Sequence, residues 1–197
     1  MVYRAIVSES FWHLEMIQTA INIKDKNIED LRKYIIEGDF LDYSSVNNYN
    51  KKLGSIVKRA SVLDKVLIEE LVEADSKTTE FINFYSIIKN EKLFYDFLNE
   101  LIFSNFMKLK KYITKEEINT FMNEKARQIE AVNNWTESSR KRMKSKIVEF
   151  CIKGGYIQKE KEDYSIKIPS VNKRVREHLA NIETKEINNI LFLQKGI

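Results

Sequence analysis

Apolar residues recur every three or four positions along most of this chain, and short polar clusters interrupt them, a pattern that predicts a succession of amphipathic helices. Phe11, Leu14, Ile17, Gln18 and Ile21 outline a first helix ending near Ile23, with Ser10 or a neighbour placed to cap it. Leu31, Tyr34 and Ile35 line a second, begun by Asn27 and closed by Gly38 as a left-handed cap. Ser44 and Ser45 open a third, which carries Tyr49, Leu53, Ile56 and Val57. Further helices are predicted over 62–73, 77–89 and 92–110, with Asp75-Ser76 as a start signal and Asn90-Glu91 as a boundary. Their rows of Phe, Leu and Ile, from Phe81 to Phe106, predict the main core.

The pattern sharpens after residue 113. Thr114-Lys115-Glu116-Glu117 is a capping box, in which the Thr side chain and the Glu three residues on satisfy each other's free amides. A second start lies at Thr136, ahead of a helix over 136–154 with Met143, Ile147, Phe150 and Cys151 at core spacing. Beyond Gly154-Gly155 the period changes to alternation, and 156–158 with 164–168 read as a β-hairpin. Pro169 ends the hairpin, Ser170 can cap a helix through Leu179, and 187–193 returns to the body. Helix, helix, hairpin is the order of a winged helix-turn-helix. The expected fold is therefore mainly α: a multi-helix bundle with helix-turn-helix character and a C-terminal winged helix carrying a small β-hairpin. The expected division is 1–60 as an N-terminal helical, helix-turn-helix-like lobe, 61–112 as a central helical bundle, and 113–197 as the winged-helix lobe.

Composition agrees with helix, since one Pro and five Gly in 197 residues leave few backbone breakers. A single Cys rules out an internal disulfide, and no segment approaches the roughly 18 uninterrupted apolar residues of a membrane span. A reducing cytoplasm and no membrane are expected. The net charge of +4 conceals an asymmetry. Residues 136–178 hold twelve Lys or Arg against six Asp or Glu, and the remaining 21 basic and 23 acidic residues leave the rest of the chain slightly negative. Such a basic stretch suits a polyanionic partner.

The candidate chemistry follows from that stretch. Arg140, Lys141, Arg142, Lys144 and Lys146 place five cations on the wet side of the helix before the hairpin, and Ser138 and Ser139 near its start can reach phosphate oxygens. Lys159 and Lys161 in the hairpin, and Lys173 with Arg174 and Arg176 on the next helix, could add phosphate contacts, although Glu160, Glu162 and Asp163 alternate with the hairpin lysines. A second candidate surface is the polar face of the third helix, with Asn47, Asn48, Lys51, Lys52, Lys58 and Arg59, residue types that suit base edges and phosphates. Both surfaces can also be read as ordinary solvated helix faces. No metal and no cofactor is expected. His13 and His178 lack further ligands at metal spacing, and no glycine-rich phosphate loop or nucleophile elbow occurs. Cys151 reads as a small core residue, and Trp135 as a hydrophobic staple.

Two stretches also resemble a known family. Leu71-Val72-Glu73-Ala74-Asp75 followed by residues 84–90 (FYSIIKN) and 93–97 (LFYDF), and then 134–140 (NWTESSR) through 147–157 (IVEFCIKGGYI), are similar in order to the central and C-terminal segments of BrxA proteins of the BREX phage-defence system. The resemblance implies a helical protein with winged-helix character, encoded among genes for a DNA methyltransferase, a large ATPase and a phosphatase-like protein. It implies a non-enzymatic partner of double-stranded DNA, with other BREX proteins as further partners. The many cations and few bidentate base readers on 136–154 predict phosphate contacts with weak sequence preference. The alternatives are a protein-interaction adaptor that touches no nucleic acid, and an RNA-binding helical bundle.

Overall fold

The computed structural model describes residues 1–26, 30–37 and 46–193, with side chains at all of these except 46–48. Asn27, Gly38, Ser44 and Ser45, expected as helix punctuation, lie outside the described residues, and so do the side chains of Asn47 and Asn48. The molecule is mainly α with a small antiparallel sheet. In chain order it runs α1 (His13–Ile23), α2 (Leu31–Glu37), α3 (Val46–Ala60), α4 (Lys65–Glu73), α5 (Ser76–Asn90), α6 (Lys92–Asp96), a π-helical stretch (Phe97–Phe103), α7 (Ser104–Met107), β1 (Tyr112–Ile113), α8 (Lys115–Gln128), α9 (Glu130–Asn133), α10 (Glu137–Lys153), β2 (Ile157–Glu160), β3 (Asp163–Ile166), α11 (Lys173–Ile182) and α12 (Lys185–Ile190).

Local chemistry sets many of these boundaries. Asp75 caps α5 by accepting from the amides of Lys77 and Thr78, and those bonds hold its carboxyl below the ordinary range. The Thr114 capping box forms in both directions, with the Glu117 amide donating to Thr114 Oγ1 and the Thr114 amide to Glu117. α10 stops in a Schellman motif. The Tyr156 amide reaches back to Cys151 O and the Gly155 amide to Ile152 O, with Gly155 at φ +80°.

Two expectations about caps are corrected. Ser10 does not cap α1, whose first flanking residue is Trp12 in the left-handed region with no side-chain cap bond. Ser170 yields to Asn172, whose side chain accepts from the Val175 amide while donating to Glu70 at 2.5 Å. The apolar face of α1 also differs. Met16, Ala20 and Ile23 are buried with Thr19, whereas Leu14 and Ile21 are exposed. α1 packs against α4, and the row of Met16, Thr19, Ala20 and Ile23 is the one that turns inward.

A single apolar cluster runs from Ile6 to Leu193. At its centre Phe84 touches Phe94 and Tyr156, Phe94 touches Phe150, and Phe192 of the returning C-terminal segment closes on Phe103, Phe106 and Tyr156. The three strands pair in the order β1-β3-β2. Tyr112 lies opposite Ser165, and Ile157 opposite Ile166. The expected hairpin is present, and β1 adds a third strand that the sequence reading did not contain.

Not every glycine is required. Gly54 lies in the interior of α3 with nothing within 4 Å of where a Cβ would stand. Gly54→Ala is expected to raise stability by about 0.5–1 kcal/mol, measured as the shift in denaturant midpoint at constant slope. A loss would show that the open space is used.

Candidate nucleic-acid interface

The candidate face is built on α10. Its N-cap, Thr136, accepts from the Ser139 amide at 3.1 Å and bonds the Ser139 hydroxyl at 3.0 Å, which ties Ser139 to the helix start. Met143, Ile147, Phe150 and Cys151 bury one side, and burial pushes the Cys151 thiol well up, in keeping with a core role. The helix is held in place by the N-terminal segment. Phe11 meets Phe150 edge-on, with ring centroids 5.3 Å apart. The Arg59 guanidinium, only 3% exposed, donates to Phe11 O at 2.6 Å, Ser10 O at 3.0 Å and Glu9 at 3.2 Å. Its placement on a DNA-facing polar surface is corrected: it lies over the rings of Trp12 and Phe150, and burial lowers it to about 10.

The wet side of α10 is a ridge between two grooves. One groove, roughly 400 Å³, lies against α8 and is lined by Asn119, Asn123, Arg140, Lys141 and Lys144. The other, roughly 450 Å³, lies against Val7 and is lined by Ser138, Lys141, Arg142, Ser145 and Lys146. Lys141 lines both and therefore marks the crest. Among the described residues, no carboxylate stands within 4.0 Å of Arg140, Lys141 or Arg142, and the ion pairs of α10 belong to Lys146 and Lys153, which share Glu149 at 3.2 and 3.0 Å. Burial alone would raise the Glu149 carboxyl, yet these two lysines hold it below its ordinary value. Lys144 instead donates to Asn119 Oδ1 at 2.5 Å.

The other sequence-predicted residues divide. Lys159 and Lys161 are exposed on the hairpin, Lys161 at the tip with φ 45°. Their neighbour Glu162 is paired with Lys115 of α8, which fastens the hairpin to that helix. Lys173 and Arg174 lie on α11, which packs on α4. Arg174 is engaged by Glu69 at 2.7 Å and Glu70 at 2.9 Å, so it serves as a tie between helices and is not a free phosphate ligand. Lys173 stands 3.8 Å from Glu177. Arg176 donates to Phe192 O at 2.9 Å and pins the returning segment. On α3, Lys51 is exposed while Lys52 pairs with Glu15 at 2.9 Å. Sequence reading passed over Lys115, Asn119 and Asn123, although their spacing of four residues was a signal that they share one face of α8.

Comparison with known proteins places this arrangement. The chain is 27% identical over 184 residues to a protein from Bacillus cereus (strain H3081.97) named BREX protein BrxA, covering 90% of each. Its fold is similar to the crystal structure of an uncharacterized protein from Magnetospirillum magneticum, with a TM-score of 0.74 at 17% identity, over 98% of this chain and 99% of that one. The model of the BrxA family matches residues 3–183. The chain belongs to the BrxA family.

Proposed function

We propose that this protein is a binding component of BREX phage defence in which the C-terminal lobe, residues 113–197, is a winged helix that holds double-stranded DNA through its phosphates. The single observation that carries the reading is the α10 crest, where the exposed Lys141 and Arg142 and the half-buried Arg140 have no carboxylate within 4.0 Å among the described residues. Uncompensated cations gain most by replacing condensed counterions on a polyanion. A ridge of one helix flanked by grooves has the shape that enters a major groove, with the preceding helix crossing the backbone. The defence role comes from the relative named BREX protein BrxA. Weak sequence preference rests on the number of groups on this face that offer charge or single hydrogen bonds, Ser138, Ser139, Lys141 and Lys144 among them, against two, Arg140 and Arg142, that can pair with a guanine edge.

The test is binding of the whole protein to a labelled duplex of arbitrary sequence across a salt series. Wild type should lose affinity steeply as salt rises. Removing all three crest cations (Arg140→Ala, Lys141→Ala, Arg142→Ala) should lower the log–log salt slope by roughly three and weaken binding on the order of a hundredfold. Lys51→Ala, on the other candidate surface, should change neither by more than a single contact's worth. Wild type that fails to bind duplex even at low salt would overturn the reading in favour of a protein adaptor. Preference for structured RNA in competition would overturn it in favour of an RNA binder.

A further inference from the structure

We propose that the crevice between α8 and α10 is a seat for one backbone phosphate of the duplex, formed by Lys144 and Arg140 of α10 with Asn119 and Asn123 of α8, and that Asn119 is a positioning residue for Lys144. The inference rests on the duplex-binding reading and extends it to a second helix.

The argument begins with how α8 sorts its side chains. Glu116, Glu117 and Glu124 line a groove on the side toward Leu101, while Asn119 and Asn123 line the side toward α10. A helix that faces a run of cations ordinarily gains by offering carboxylates, as α10 itself does with Glu149 between Lys146 and Lys153. Here the positions opposite Arg140 and Lys144 are amides, which accept a hydrogen bond without cancelling charge. The positive potential is therefore left for something else. Glu137 is the one carboxylate in that lining, and it stands beyond 4.0 Å of the cations.

The second observation is the Lys144–Asn119 bond. Both residues line the groove shared with Arg140 and also the adjoining one formed with Lys115, Val148 and Tyr164, so the bond sits where the two grooves meet. Holding Lys144 Nζ at 2.5 Å through Oδ1 restrains a side chain that would otherwise sample many rotamers, and leaves the Asn119 Nδ2 hydrogens as donors. The remaining ammonium hydrogens, the amide donors and the Arg140 guanidinium supply a donor-rich concavity, which is the chemistry a phosphodiester requires.

The test uses the full chain and the same duplex salt series, with Lys144→Gln, Asn119→Ala and the two combined, each checked for unchanged melting temperature. Lys144→Gln should weaken binding roughly fivefold and reduce the salt slope by about one. Asn119→Ala should weaken binding roughly threefold with the slope unchanged, since an amide releases no counterion. The double variant should lose less than the product of the two single losses, because part of the effect of Asn119 runs through Lys144. Asn123→Asp, which adds a carboxylate to the seat, should weaken binding more than Asn123→Ala. Wild-type binding that is indifferent to Lys144→Gln, or an Asn119→Ala loss of equal size in both backgrounds, overturns the seat while leaving duplex binding intact. A wild type that binds no duplex overturns both.

Discussion

Arg59→Met is expected to lower stability by about 3 kcal/mol, which for a chain of this size is a fall of roughly 6–12 °C in melting temperature. The guanidinium is buried and makes three kinds of contact at once: the Glu9 carboxylate, two backbone carbonyls, and the rings of Trp12 and Phe150. Methionine can fill the stem volume, so the cost lies in what is left behind. Phe11 O keeps the Asn83 amide at 2.7 Å, and Glu9 keeps Arg4 at 3.1 Å, but Ser10 O loses its side-chain donor and Glu9 loses its buried partner. Adding Glu9→Gln to Arg59→Met should recover part of the loss, since it removes the carboxylate stranded beside an apolar side chain. Urea unfolding of the four proteins in this cycle measures both effects. An Arg59→Met protein within 0.5 kcal/mol of wild type would show that the guanidinium is not the clamp described.

Arg59 also shows where sequence reading stops. On a helical wheel it falls beside Lys51, Lys52 and Lys58, and nothing local separates it from them. Its partners are Glu9, Ser10 and Phe11, some fifty residues earlier, so its role is set by a tertiary contact that no short-range pattern encodes. Arg174 is the same case at greater range, tied to Glu69 and Glu70. Features that close within one turn were legible. The Thr114 box, the Asp75 and Thr136 caps and the stop at Gly154-Gly155 all form as read, since every donor and acceptor involved lies within six residues. β1 was not legible, because two residues cannot show alternation and its existence depends on pairing with Ser165 and Tyr164. The cap after Pro169 lay between two such cases. Ser170 and Asn172 are both capping types, and the choice falls to Asn172 because Thr78 of α5 binds its backbone amide and Glu70 of α4 its side chain. In the candidate site the cations of α10 were legible as a run, but which of them stay free was only half so. The Lys146–Glu149 pair is a local i,i+3 contact, whereas the Lys144–Asn119 bond crosses between helices.

Gly154→Ala should cost about 2–3 kcal/mol, even though alanine is the better helix former and the position ends a helix in right-handed backbone. A Cβ there would stand 2.5 Å from Phe84 Cδ1 and 2.6 Å from Cγ, closer than carbon atoms can approach. Relief must come from Phe84 or from α10, and neither is free to give. Phe84 is fully buried, with Phe94 and Tyr156 against it, so turning its ring displaces the centre of the core. Moving α10 outward would loosen Phe150 from Phe11 and Phe94 and carry the cationic crest with it. Because the clash lies on the packed side and the crest on the wet side, the variant should unfold at lower denaturant while a still-folded sample keeps most of its salt-sensitive duplex binding. Phe84→Leu combined with Gly154→Ala should destabilise less than the sum of the two single changes, since the smaller side chain opens the space that the new methyl needs. Strict additivity would place the strain elsewhere, in the backbone of the Schellman turn rather than against Phe84.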